Sequence, residues 1–107
     1  MLDTQFKKGA LEMCVLAALS KKDYYGYELV NEISKTISIS EGTIYPLMRR
    51  LRADEYVETY IQESTDGPPR KYYRLTQIGK KAADEMTSEW LTFNENINKL
   101  LKGATEK

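Results

Sequence analysis

The sequence predicts a mostly α-helical protein with one small β-hairpin, and three observations lead there. Successive stretches between residues 5 and 53 place apolar residues at helical spacing. Two stretches with period-two alternation, "YVETYIQES" and "KYYRL", then flank "TDGPPR", whose Gly-Pro-Pro cannot continue a strand. Last comes a helical stretch too long for the core that a chain of 107 residues can bury. The predicted order is helix, helix, helix, hairpin, long helix. We divide it into residues 1–75, a body of three helices and the hairpin, and residues 76–107, a long C-terminal helix.

The first helix is expected from about Gln5 to Ser20. Its apolar residues run from Leu11 through Leu19 and go nearly all the way round, so more than one face must be buried. The surplus face, with Leu11 and Val15, is expected to meet a second chain. Asp23 is expected to cap a second helix, in which Gly26, Leu29, Val30 and Ile33 recur at helical spacing and which ends near Thr36.

The third helix poses a question. Capped by Ser40, it presents Ile44, Leu47, Met48 and Leu51 as one apolar stripe, yet it carries Gly42 and Pro46 on the opposite face. An interior glycine costs roughly 1 kcal/mol and an interior proline about 3. Arg49 and Ala53 share that face and Arg50 lies at its edge, which makes the face low in relief. In a helix-turn-helix, the second helix of the motif enters the major groove, about 12 Å wide, where a flat face is an advantage. The hairpin tip "DGPPRKYYR" adds Arg70, Lys71 and Arg74 beside a stiff turn. Arg70 and Lys71 point to opposite sides of their strand and can straddle a groove edge.

Sixteen basic and sixteen acidic residues cancel, but all five arginines lie between residues 49 and 74. The guanidinium suits bidentate recognition of phosphate and guanine. There is no histidine and one cysteine, Cys14. That removes histidine acid–base chemistry, Cys/His nucleophiles and Cys/His zinc sites. No glycine-rich phosphate loop appears either. No enzyme, metal or cofactor is expected, and Cys14 reads as a small buried hydrophobe. The N-terminal stretch lacks the apolar core of a signal peptide, and the longest apolar run falls far short of the ~20 residues that span a bilayer. A cytoplasmic protein with no membrane partner is expected.

Three segments, "YYGYELVNEI", "SEGTIYPLMRRLRADEYVE" and "GPPRKYYRLTQIG", together closely resemble the PadR family of bacterial transcriptional regulators. The resemblance covers the chain from about Leu11 to its end. It implies a winged-helix homodimer that represses neighbouring genes at an inverted-repeat operator in double-stranded DNA, with relief by a small molecule in several members. By position, it implies recognition-helix contacts from Ser40, Gly42, Thr43, Tyr45, Pro46 and Arg49, and wing contacts from Pro68, Pro69, Arg70 and Lys71. The single long C-terminal helix resembles the short subgroup of the family. Zero net charge supports a different reading, a winged-helix protein-interaction module without DNA binding.

The last helix is expected from a Thr76 cap to Lys102, closed by Gly103, and spans about 40 Å. A body of some 75 residues is only about 25 Å across, so the helix overhangs. Ala83, Met86, Trp90, Phe93, Ile97 and Leu100 repeat at 3-4-3-4-3 spacing, a heptad seam suited to pairing with another helix. Trp90 and Phe93 have two readings. They are dimer core, or, with Met86, they line a gap at the two-fold axis and stack on a flat aromatic or hydrophobic effector. The stretch "EWLTF" resembles the region that short relatives are thought to use in the second way.

Overall fold

A computed structural model of the chain describes the backbone of residues 4–105 and the side chains of residues 9–104. Helix α1 (Thr4–Lys21) leads to a two-residue strand, β1 (Tyr24–Tyr25), then to helices α2 (Gly26–Ser34) and α3 (Glu41–Ala53). Strands β2 (Val57–Gln62) and β3 (Arg70–Leu75) form the hairpin, and helix α4 (Gln77–Thr105) completes the order. This is a winged helix-turn-helix with a long C-terminal helix.

Helix α1 is the axis of the body. Helices α2, α3 and α4 and strand β3 all pack on it, which explains why its apolar residues go round the helix. Leu11 (2% exposed) and Val15 (0%) face the core of their own chain, as does Ala83 of α4 (4%). The expectation that these three meet a second chain is corrected, since none has surface left to offer. Leu29, Val30 and Ile33 of α2, the α3 stripe, and Val57, Tyr73 and Leu75 of the hairpin complete the core.

The sheet has the order β1-β3-β2 and is antiparallel throughout. Strand β1 falls where a connector was expected; its tyrosines pair with the middle of β3, Tyr24 opposite Tyr73 and Tyr25 opposite Tyr72. Asp23 therefore does not cap α2. The N-cap is Tyr25, in extended conformation without a side-chain hydrogen bond, and the Asp23 carboxylate instead accepts a 2.6 Å hydrogen bond from the Tyr60 hydroxyl. Helix α2 stops at Ser34, two residues before the expected Thr36, and the Thr36 and Ile37 N–H groups turn back to the Ile33 carbonyl.

The junction between α3, the hairpin and α4 is tightly knit. Glu55 adopts φ 65°. Its N–H donates to the Arg52 carbonyl and that of Tyr56 to the Leu51 carbonyl, each at 3.0 Å. This is a Schellman ending with glutamate at the position that favours glycine. The Thr76 hydroxyl donates to the Glu55 carbonyl at 2.6 Å and accepts from the Gly79 N–H at 3.0 Å, so Thr76 caps α4 as expected. A Cβ on Gly79 would stand 1.9 Å from the Tyr56 carbonyl oxygen; only glycine lets α4 approach the α3–β2 turn this closely. At its far end α4 runs through Gly103 to Thr105, correcting the expectation that Gly103 closes it.

Candidate nucleic-acid interface

The buried stripe of α3 dictates what its other side shows. Ile44, Leu47, Met48 and Leu51 are all at most 2% exposed, which turns Gly42, Thr43, Pro46 and Arg49 outward as one exposed face led by Ser40. Ser40 is the N-cap, but its hydroxyl makes no capping bond and lies 3.2 Å from that of Thr43. Two hydroxyls thus sit together at the positive end of the helix.

Pro46 is the sixth helical residue, counted from Glu41. Its missing N–H would have met the Gly42 carbonyl, so the position does not escape the cost of proline through closeness to the helix end. Gly42 and Pro46 stand one turn apart on the same face. A Cβ added to Gly42 would meet only the Ser40 hydroxyl, at an ordinary 3.8 Å. Nothing among the described residues requires a glycine there.

Two expected members of this face have partners within the chain. Tyr45 is half-buried against the core, with its ring where a Cβ on Gly26 would approach to 2.9 Å; burial, and after it the negative charge of Glu41, pushes its phenol pKa up. Arg50 forms an ion pair with Glu12 of α1. Both lie on the flank of α3 next to the buried stripe, Tyr45 packed against the core and Arg50 paired with Glu12 while still exposed.

The alternation of β3 divides the wing into two faces. Lys71, Tyr73 and Leu75 lie on the inner face, toward α3, and Arg70, Tyr72 and Arg74 on the outer. Arg70 and Lys71 therefore do point to opposite sides. On the inner face, the Lys71 ammonium lies 5.8 Å from the Tyr73 ring centroid. Burial pushes the Tyr73 phenol pKa up, while the positive charges of Arg52 and Arg49 act in the opposite sense. Arg49 and Arg52 of α3 are thus near enough to act electrostatically on the Tyr73 phenol, which Lys71 of the wing also approaches. Arg52 was not among the expected contacts, although its spacing of three from Arg49 was the available signal.

On the outer face the cations are engaged. Arg74 pairs with Glu58 at 2.9 Å and lies over Tyr60, and Arg70 lies 4.6 Å from the Tyr25 ring centroid. Arg70 stays solvent-exposed, as do Pro68 and Pro69 at the tip.

Helix α4 is split in its use. Ala82 and Ala83 are buried and Met86 packs against the core, whereas Leu91, Phe93, Leu100 and Leu101 are 57–76% exposed. The Trp90 and Phe93 rings lie 6.3 Å apart, tilted by 55°. With Gly9, Met13, Met86 and Glu89 they line an open groove of about 460 Å³ between α1 and α4.

Solved structures that share this fold include transcriptional regulators. A PadR-like transcriptional regulator from Bacillus cereus is 37% identical, with a TM-score of 0.84 over 92% of this chain and 98% of its own. A PadR family transcriptional regulator from Eggerthella lenta is 34% identical, with a TM-score of 0.80 over 92% and 87%. Fold and likeness define a winged-helix transcriptional regulator rather than an enzyme. A transcriptional regulator of Mycobacterium tuberculosis is 32% identical over 76% of both chains, and residues 15–85 match the model of the transcriptional regulator PadR-like family. The chain belongs to that family.

Proposed function

We propose that the protein is a homodimeric, cytoplasmic repressor that binds an inverted-repeat operator in double-stranded DNA and is released by a planar aromatic or hydrophobic compound. Residues 1–75 are its DNA-binding domain and residues 76–107 its dimerisation helix. The observation that carries this reading is the outward face of α3. Gly42 and Pro46 both cost helix stability, only the Ser40 hydroxyl lies within 4 Å of where a Cβ on Gly42 would stand, and the face they flatten also carries Arg49, with Arg52 exposed beside it. A flat helix face with cations along one flank fits the floor and phosphate wall of a major groove. Ser40, Gly42, Thr43, Pro46 and Arg49 approach the base edges, Lys71 and Arg52 the adjoining phosphates, and Pro68, Pro69 and Arg70 the next groove edge.

The exposed distal half of α4 supports pairing of two chains through Trp90, Phe93, Ile97 and Leu100. The groove beside Trp90 supports an effector that stacks on its ring, with Met86 beneath. Titration onto duplex DNA tests the main reading. Affinity should fall steeply as salt rises, and Arg49→Ala should lose about 1–3 kcal/mol on a selected duplex and much less on random sequence. Affinity independent of salt would overturn DNA binding and favour the protein-interaction module. The sole tryptophan, Trp90, makes fluorescence quenching by planar aromatics a direct test of the effector.

A further inference from the structure

The wing has a core beneath only half of its length. At the base, Val57, Tyr73 and Leu75 are buried, but beyond them Ile61, Gln62, Arg70 and Lys71 are all exposed. The ladder reaches Gln62 opposite Arg70, yet a two-stranded ribbon with no apolar face against a body is only marginally stable in water and free to twist. Lys71, the wing cation on the α3 side, stands in this unsupported half.

Something else holds it. Strand β1 adds a third strand for two residues, and three tyrosines converge on the outer face at that level. Tyr60 stacks on Tyr72 at 5.5 Å and 14°, and Tyr25 meets Tyr72 edge-on at 5.7 Å. The Tyr60 hydroxyl then crosses from β2 to the turn before β1, donating 2.6 Å to the Asp23 carboxylate. A hydrogen bond to a charged acceptor is among the stronger kinds. It links residues 37 apart in sequence, the outermost β-strand to the end of the α1 turn. This bond holds the Tyr60 phenol pKa above its ordinary value, with the other contributions smaller.

We infer that Tyr60 and Asp23 are positioning residues for the wing: their hydrogen bond fixes the height of the ribbon over the helical body, and so places Lys71 against DNA bound by α3. The inference rests on the proposed DNA contact of α3 and the wing. Neither residue touches DNA. Tyr60 faces away from α3, and Asp23 carries the wrong charge for a phosphate. Their effect on binding passes through Lys71.

The test has one arm without DNA and one with it. In the free protein, Tyr60→Phe keeps the ring and its stacking and removes only the hydroxyl. Amide hydrogen exchange of the ladder-bonded amides among residues 61, 62, 70 and 71 should then quicken, about tenfold, while the exchange of the α1 and α3 core and the melting temperature stay as in the wild type. Asp23→Asn retains a carbonyl acceptor and should exchange close to wild type, whereas Asp23→Ala should match Tyr60→Phe.

On a duplex selected by the wild type from a random pool, Tyr60→Phe should weaken binding about tenfold and flatten the salt dependence by about one phosphate contact. Lys71→Ala should then cost little more in the Tyr60→Phe background, because the two losses are the same loss. Unchanged exchange in the tip overturns the lock whatever the protein does with DNA. Quickened exchange with unaltered affinity, or fully additive losses with Lys71→Ala, overturns the positioning role. A wild type that shows no salt-dependent binding to any duplex removes the DNA reading and the positioning role with it, while quickened exchange in that case still identifies the hydrogen bond as the lock.

Discussion

Glu55 occupies the left-handed region at φ 65°, where any residue with a Cβ is disfavoured. Glu55→Gly should therefore stabilise the protein by about 1 kcal/mol, part of the backbone cost being returned as unfolded-state entropy. A urea midpoint shifted upward, at unchanged slope, is the expected result. The sequence hides this position, since "RADEYVE" gives no glycine to mark the turn. By contrast, the Gly79 in "RLTQIG" is visible in the sequence but its reason is not: the clash it avoids is with the backbone of Tyr56, twenty-three residues earlier in the chain. Tyr45 and Arg50 teach a similar lesson. Helical spacing ranks residues by angle around α3, but it cannot tell that Gly26 leaves room for a ring or that Glu12 of α1 waits for a guanidinium.

Helix α3 combines a buried stripe with a low-relief exposed face proposed for DNA contact, and one substitution separates the two. Gly42→Leu adds a side chain where Ser40 alone lies within 4 Å and improves helix propensity, so the melting temperature should hold or rise. Binding to a selected duplex should nonetheless be lost, because the side chain would hold the helix off the groove floor. A variant equally stable and fully active in a gel-shift titration would show that the glycine does not serve contact. The long periodic elements of this fold were legible in the sequence: α1, the α3 stripe, the hairpin and α4 each carry enough residues for a period to declare itself. Strand β1 does not. Two tyrosines have no period, and their pairing with Tyr72 and Tyr73 exists only once the hairpin has formed. The outward face of α3 was likewise legible as the complement of its stripe, whereas the electrostatic reach of Arg49 and Arg52 to Tyr73 of the wing joins two elements and emerges only from the fold.

At the scale of the whole molecule, an apolar chain surface remains uncovered. The molecule extends 61 × 29 × 21 Å, and the long axis reflects α4 leaving the body with Phe93, Leu100 and Leu101 in solvent. Under the proposed pairing, Leu100→Glu should leave the fold of the body intact, since Leu100 is 76% exposed, but should shift the sedimentation profile from dimer to monomer at micromolar concentration. If Leu100→Glu sediments as the wild type does, the distal seam is not what pairs the chains. In the proposed dimer, the division of α4 into an anchored half and a free half would also give mechanical advantage. Ala82, Ala83 and Met86 weld the helix to the body, so in that dimer the body would follow any change in how the two free halves cross. A rotation of about 5° there sweeps the far end of the 61 Å axis through about 5 Å, a sizeable part of the ~34 Å between successive major-groove sites on one side of DNA. A small wedge driven beside Trp90 would act as the short arm of a lever whose long arm carries α3.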